Sequence, residues 1–345
     1  MTTRRNFIAG AGLTLGAGLA GVRPAWAASG TLPLASLGMG NFHQTMTKVL
    51  SRSGTIVVPS YRFGVVMRSG ISATGSSGSV SVQAAADLVG VDLAMMQRLA
   101  GQAHADFIAR LRQTGRTVLG WNDISATKGA AKFKTTPVPF LKKPFADARS
   151  VALVSPAQMP LINLHIDAPI SDQSPFELGN WRAINSISAE LKALVMIPTV
   201  VLDFAQMSGS GHKVYSGAAN VGIKPGFYLV PQFTQFSFFH AKIALAGEGG
   251  RLILTDRAAI GQAGELVKTG STNNRAEIEE WNRYVRSMEW WNNPWAAGPQ
   301  RPTQAYDYSS YQYRIDPALF EQVCLDGATA ANAIYAGAVA ANPAG

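Results

Sequence analysis

A chain of 345 residues, 47 % hydrophobic, with 30 Lys and Arg against 21 Asp and Glu, is globular in composition and suits one large domain or two modest ones. Its single cysteine, Cys324, excludes an intramolecular disulfide, so the fold rests on its core. Of the formal charge of +9, residues 1–27 supply three arginines and no acid, and the remaining +6 permits contact with acidic envelope polymers or headgroups without requiring it.

Thr3-Arg4-Arg5-Asn6-Phe7-Ile8, a weakly apolar Gly- and Ala-rich run to Val22, and Arg23-Pro24-Ala25-Trp26-Ala27 match the charged, apolar and cleavage regions of an export signal. The arginine pair followed by Phe7 resembles a twin-arginine signal. Residues 1–27 are therefore read as an export signal peptide of twin-arginine type, the mature protein as periplasmic or secreted, and nucleic acid as no partner. No Cys follows the cleavage site to carry a lipid, and no later uncharged apolar run of about 18 residues predicts a spanning helix.

Residues 28–54 form a mixed lead-in, and 55–335 read as a single domain. Thr55 to Val58 predicts a strand, resumed beyond Pro59 from Tyr61 to Met67. Gly70 to Ser77 has the glycine spacing of a phosphate loop, but Ser76 stands where the lysine belongs, so a turn between strands is the reading. Leu93 to Trp121 is the organising stretch, read as one long amphipathic helix handing over to a buried strand. Asp92 caps the helix, and Met96, Leu99, Ala103, Phe107 and Leu111 lie on its inner face, widened by Ala100 and Ile108. Gly115 ends the helix before a strand at Thr117 to Leu119. Residues 124–147 interleave lysines with prolines and Phe133, Phe140 and Phe145, which predicts an extended surface loop. Strands follow at Val151–Val154 and Leu161–Ile166. A helix with Trp181, Ile184, Ile187, Leu191 and Leu194 inward is stopped by Pro198, before a strand at Val200–Phe204. The second half is β-rich, with a hairpin turning at Gly247 to Gly250. A third helix spans Arg275 to Met288, with Ile278 and Trp281 inward. An aromatic segment covers 290–313, and its Pro294, Pro302 and polar interruptions between two helices read as a loop. A C-terminal helix begins at the Asp316 cap and Pro317, with Leu319, Val323, Ala330 and Ile334 inward, and residues 336–345 read as a frayed tail. The fold class is α+β: a mixed sheet with helices packed on it, hairpins in the second half and a C-terminal helix.

In this order of elements, the Thr114-Gly115-Arg116 turn into a strand and the later Glu248-Gly249-Gly250 hairpin resemble the curli-secretion CsgG family and related periplasmic α/β domains. The resemblance implies a soluble envelope assembly protein over roughly residues 55–335. It does not imply a channel, because the lipidation cysteine is missing and the 133–145 region carries too many prolines and lysines for membrane hairpins.

Histidines 43, 104, 165, 212 and 240 are too scattered for a metal-binding spacing, so no metal or cofactor is expected. His165 with Asp167 is the most ligand-like pair, and His104 reads as a surface residue. Asp123, Asp167, Asp203 and Asp256 fall near strand ends, where an acid and a base of a glycan hydrolase could converge. Trp290, Trp291, Trp295, Tyr306 and Tyr308, with nearby Asn and Asp, are the candidate ligand-binding residues, since rings stack on sugars or peptides while amides bond. The preferred function is non-catalytic binding or assembly in the envelope with a polymer or protein partner, and a glycan-directed hydrolase is the alternative.

Overall fold

A computed structural model of the protein describes residues 31–74, 80–142, 149–162, 178–211, 219–243, 246–274, 276–280, 283 and 305–345. The class is α+β, as expected. The strands are β1 (Thr31–Pro33), β2 (Phe42–Thr45), β3 (Thr55–Val57), β4 (Arg62–Thr74), β5 (Val80–Val89), β6 (Thr117–Leu119), β7 (Thr135–Thr136), β8 (Phe140–Lys142), β9 (Ser150–Val154) and β10 (Leu161–Ile162), followed by β11 (Leu194–Gly211), β12 (Ala219–Leu229), β13 (Gln235–Ile243), β14 (Ala246–Leu254), β15 (Arg257–Gly261), β16 (Gly264–Asn273) and β17 (Ala305–Ile315). The helices are α1 (Leu93–Gln113), α2 (Trp121–Ile124), α3 (Leu178–Leu191) and α4 (Pro317–Ala340).

The long strand β11 organises the sheet. Its first half lies between parallel β3 and antiparallel β13, and β6, β14 and β2 extend that part outward. Because side chains alternate across a strand, each of these strands feeds two cores. Ile56, Leu194, Met196, Phe236 and Phe238 face one core, while Val57, Val195, Ile197, Phe239 and Ala241 face the other. Helices α1 and α4 cover the first face and α3 the second. Pro198 sits inside β11 rather than ending a helix. It falls between the pairing with β3, which ends at Val195, and that with β4, which begins at Thr199, so the missing N–H breaks no ladder there.

Beyond Thr199 the second half of β11 pairs with β12, while β4 turns to β5, β17 and β16. The two parts pack face to face. A Cβ on Gly209 of β11 would lie 3.2 Å from Ile71 and 3.3 Å from Ala73 of β4. Between them Asp203 is buried, accepting from Arg149 at 3.4 Å and Ser69 at 3.3 Å. Paired in this way, a buried carboxylate avoids the cost of isolation.

Helix α1 follows its sequence. Asp92 accepts from the Met95 N–H at 2.7 Å, and Gly115 adopts φ +79° at the C-terminal end. The arginine after that glycine is a structural clamp: Arg116 donates to the carbonyls of Leu50 at 2.6 Å, Ser53 at 3.2 Å and Val339 at 3.3 Å, and also to Asn342. It ties the lead-in and the end of α4 to the α1–β6 turn.

Several expectations are corrected. Residues 31–54 are wired into the sheet, with β1 on β15 and β2 on β14, and are not a separate lead-in. Part of the proline-rich 124–147 stretch is ordered as β7, paired with β10, and β8, paired with β9. The glycines at 247–250 lie within β14 rather than at its turn. Gly250 lets the backbones close, since a Cβ there would sit 2.4 Å from the Thr45 carbonyl. Trp181 is 40 % exposed, lying over Phe239 with ring centroids 4.3 Å apart. Helix α4 continues through the expected tail to Ala340, burying Ala336, Ala338 and Val339. Leu319 is exposed, while Phe320, Val323, Cys324, Gly327, Ala328 and Ala331 form the buried stripe. Small residues set that stripe: a Cβ on Gly327 would meet Ile260 at 2.6 Å. By length and composition α4 is apolar enough to cross a membrane, and over half of its most apolar window is buried in this fold.

The leader, the His165–Asp167 pair, His212, Trp281, Trp290, Trp291 and Trp295 lie outside the described residues. Of the third helix, residues 276–280 and 283 are described and helical.

Candidate functional site

The strand interrupted at Pro59 opens a crevice. β3 ends at Val57 and β4 starts at Arg62, so the four residues between them mark where the sheet divides. Two neighbouring segments leave the sheet there. The Val58 N–H bonds the Leu119 carbonyl at 2.9 Å, after which the chain enters α2. The turn following β9 is pinned by Ser60, which donates to the Pro160 carbonyl at 2.8 Å, and by Met159, whose sulfur accepts from the Tyr61 N–H at 3.1 Å. Helix α1 crosses in front. The resulting cleft, of about 520 Å³, is lined by Gln97, Gly101, His104, Ile108 and Arg112 of α1, Gly120 to Asp123, and Pro156 to Met159. Ligand sites favour such breaks in a sheet, lined by apolar groups with a few polar ones.

The five α1 residues recur every three or four positions, so they form a stripe beside the buried one. His104 is correspondingly half-buried rather than a surface residue. Its ring stands edge-on to Tyr61, centroids 5.9 Å apart, and its buried Nε2 has no hydrogen-bond partner among the described residues. Burial pushes its pKa down to about 4, so the imidazole is neutral at pH 7. Below it a buried relay joins both helices to the sheet: the Tyr61 hydroxyl donates to Asn332 at 3.0 Å, and the Asn332 amide donates to the Ala103 carbonyl at 2.8 Å and to Asp106 at 3.0 Å. On the opposite wall Asp123 accepts from the Gly120 N–H at 2.8 Å, and Trp121 leans on Phe133.

Of the strand-end acids, the described Asp123, Asp203 and Asp256 do not meet in this cleft, and Asp167 lies outside the described residues. Asp123 is the one carboxylate among its described lining residues, Asp203 is buried with Arg149, and Asp256 accepts from Thr255 next to it. Among the described residues, a paired-carboxylate mechanism has no second acid on these walls. Among the described residues no three His, Cys, Asp or Glu side chains come together as a metal site. Burial pushes the Cys324 thiol up, leaving it a poor nucleophile.

The aromatic segment resolves differently from the loop expected of it. Residues 305–315 are β17, held between parallel β5 and antiparallel β16. Tyr313 and Tyr311 face inward, Tyr313 lying 5.7 Å from both Phe204 and Phe227. Alternation turns Tyr306 and Tyr308 to the other face. There Tyr306 is 44 % exposed, Tyr308 is half-buried, and their register neighbours include exposed Gln83 and Thr272. Ser72, on the same face of β4, and the Arg68–Asp87 ion pair extend this polar surface. Reading 305–315 as a strand was possible from the alternation of tyrosine with Asp, Ser and Gln; aromatic residues on both faces obscured it.

No protein-family model, curated protein or solved structure matches this chain.

Proposed function

We propose that the chain is an exported, non-catalytic binding or assembly protein of the cell envelope, which engages a polymer or protein partner on the polar face of β5, β17 and β16. The observation that carries this reading is the exposed Tyr306 with Tyr308 beside it, two rings on a strand whose other tyrosines supply the core. Exposed rings on a rigid strand, flanked by Gln, Ser and Thr, give stacking area and hydrogen bonds with little ordering cost. The twin-arginine-like leader and the resemblance to curli-secretion proteins support the compartment.

Binding to isolated peptidoglycan, as a first envelope polymer, tests the face. Tyr306→Ala and Tyr308→Ala are each expected to weaken binding by about 1 kcal/mol or more with the melting temperature nearly unchanged. A fall in melting temperature that accounts for the lost binding would mean that the rings are structural.

Export has its own test. Arg4→Lys with Arg5→Lys is expected to leave precursor in the cytoplasm, seen by fractionation. Undiminished periplasmic protein would remove the twin-arginine assignment.

A further inference from the structure

The His104 cleft is separate from the tyrosine face, and one of its residues has no explanation within the fold. Gly101 sits near the middle of α1, where glycine is costlier than alanine because it loses more backbone freedom. Elsewhere Gly250 and Gly327 are required by close approach, whereas Gly337 of α4 is exposed with open space beside it. At Gly101 a Cβ would have nothing within 4 Å, and its φ is not in the left-handed region. The space it would enter is the cleft. Its absence keeps that space open.

The lining also has a definite electrical pattern. Arg112 on one wall and Asp123 on the other, both solvent-exposed, form no ion pair with each other, and Arg112 has no acidic partner among the described residues. Between them the lining is uncharged: the neutral His104, the amides of Gln97, Asn122 and Gln158, and the apolar surfaces of Ile108, Trp121 and Met159. A plain anion would be repelled by Asp123 and a plain cation by Arg112. A neutral sugar would use neither charge.

We propose that this cleft binds a small zwitterion of the amino-acid type, with its carboxylate toward Arg112, its ammonium toward Asp123 and its uncharged body over Gly101 between His104 and Trp121. The opposite charges select the ligand's two ends, and the amides between them supply hydrogen bonds of either sense.

The full mature chain is screened by thermal shift against the standard free L-amino acids, and the best is measured by calorimetry. It is compared with its N-acetyl form, which lacks the ammonium, its amide, which lacks the carboxylate, and N-acetylglucosamine. At least one free amino acid is expected to bind with Kd below about 1 mM, both blocked forms to bind about tenfold more weakly or worse, and the sugar not at all. Arg112→Gln should weaken the free amino acid about tenfold while leaving the amide unchanged, and Asp123→Asn should do so while leaving the N-acetyl form unchanged. Gly101→Ala should raise the melting temperature of the empty protein and still weaken binding, a combination that a purely structural glycine would not give. Absence of any amino-acid binding in that range overturns the proposal. So does binding indifferent to Arg112→Gln and Asp123→Asn, or equal binding of the sugar.

Discussion

Phe107→Ala is expected to cost about 3–5 kcal/mol of unfolding free energy, a large part of the margin of a typical domain. Phe107 is fully buried on the inner stripe of α1, and its ring meets Phe236 of β13 at 5.9 Å, Tyr61 at 6.1 Å and Tyr335 of α4 at 6.5 Å. It thus joins both helices to the sheet, and truncation leaves a void that several rigid rings cannot all move to fill. Phe107→Leu, which keeps most of the volume, should cost clearly less. Urea unfolding of the three proteins checks this. A midpoint for Phe107→Ala within error of the parent would mean that the ring does not anchor the two helices.

How much of this was legible in the sequence differs by element, for physical reasons. Helix α1 was readable because one face is large and apolar, the other is charged, and Asp92 and Gly115 punctuate its ends. Helix α4 was readable as a helix from Asp316 and Pro317, but its buried stripe was not. Alanines and glycines occur on every side of it, so periodicity carried little contrast, and the choice between Leu319 and Phe320 was settled by close approach at Gly327. The tyrosine strand was misread as a loop because both faces carry aromatic rings, which erases the alternation that marks a half-buried strand. The cleft was the least legible feature. Its walls come from residues 97–112, 120–123 and 156–159, brought together by the break at Pro59, and no local spacing encodes that meeting. The local signal was slight: Ile108, beside the core stripe, is the one apolar side chain in a row otherwise of Gln97, Gly101, His104 and Arg112.

The His104 environment makes stability depend on acid in a definite window. The unfolded chain has an ordinary histidine pKa of about 6.5, whereas in the fold His104 is held down to about 4 by burial. Well above pH 6.5 both states are neutral there and the group contributes no pH dependence. As the pH falls from 6.5 toward 4, the unfolded state takes up a proton that the folded state resists, so unfolding is favoured progressively. Below the folded pKa both states are protonated, and the accumulated loss levels off at about 3 kcal/mol. Tyr61 stays neutral throughout, burial holding its phenol well above the usual range, so it does not compensate the new charge. His104→Gln, polar but not titrating, is expected to lose about 3 kcal/mol less than the parent between pH 7 and pH 4, when each is unfolded in urea at both values. The difference of differences removes the other carboxylates and histidines, which titrate alike in both proteins. Parallel losses in parent and variant would show that His104 accepts a proton in the fold as readily as in water, and that the cleft floor is wetter than its buried Nε2 indicates.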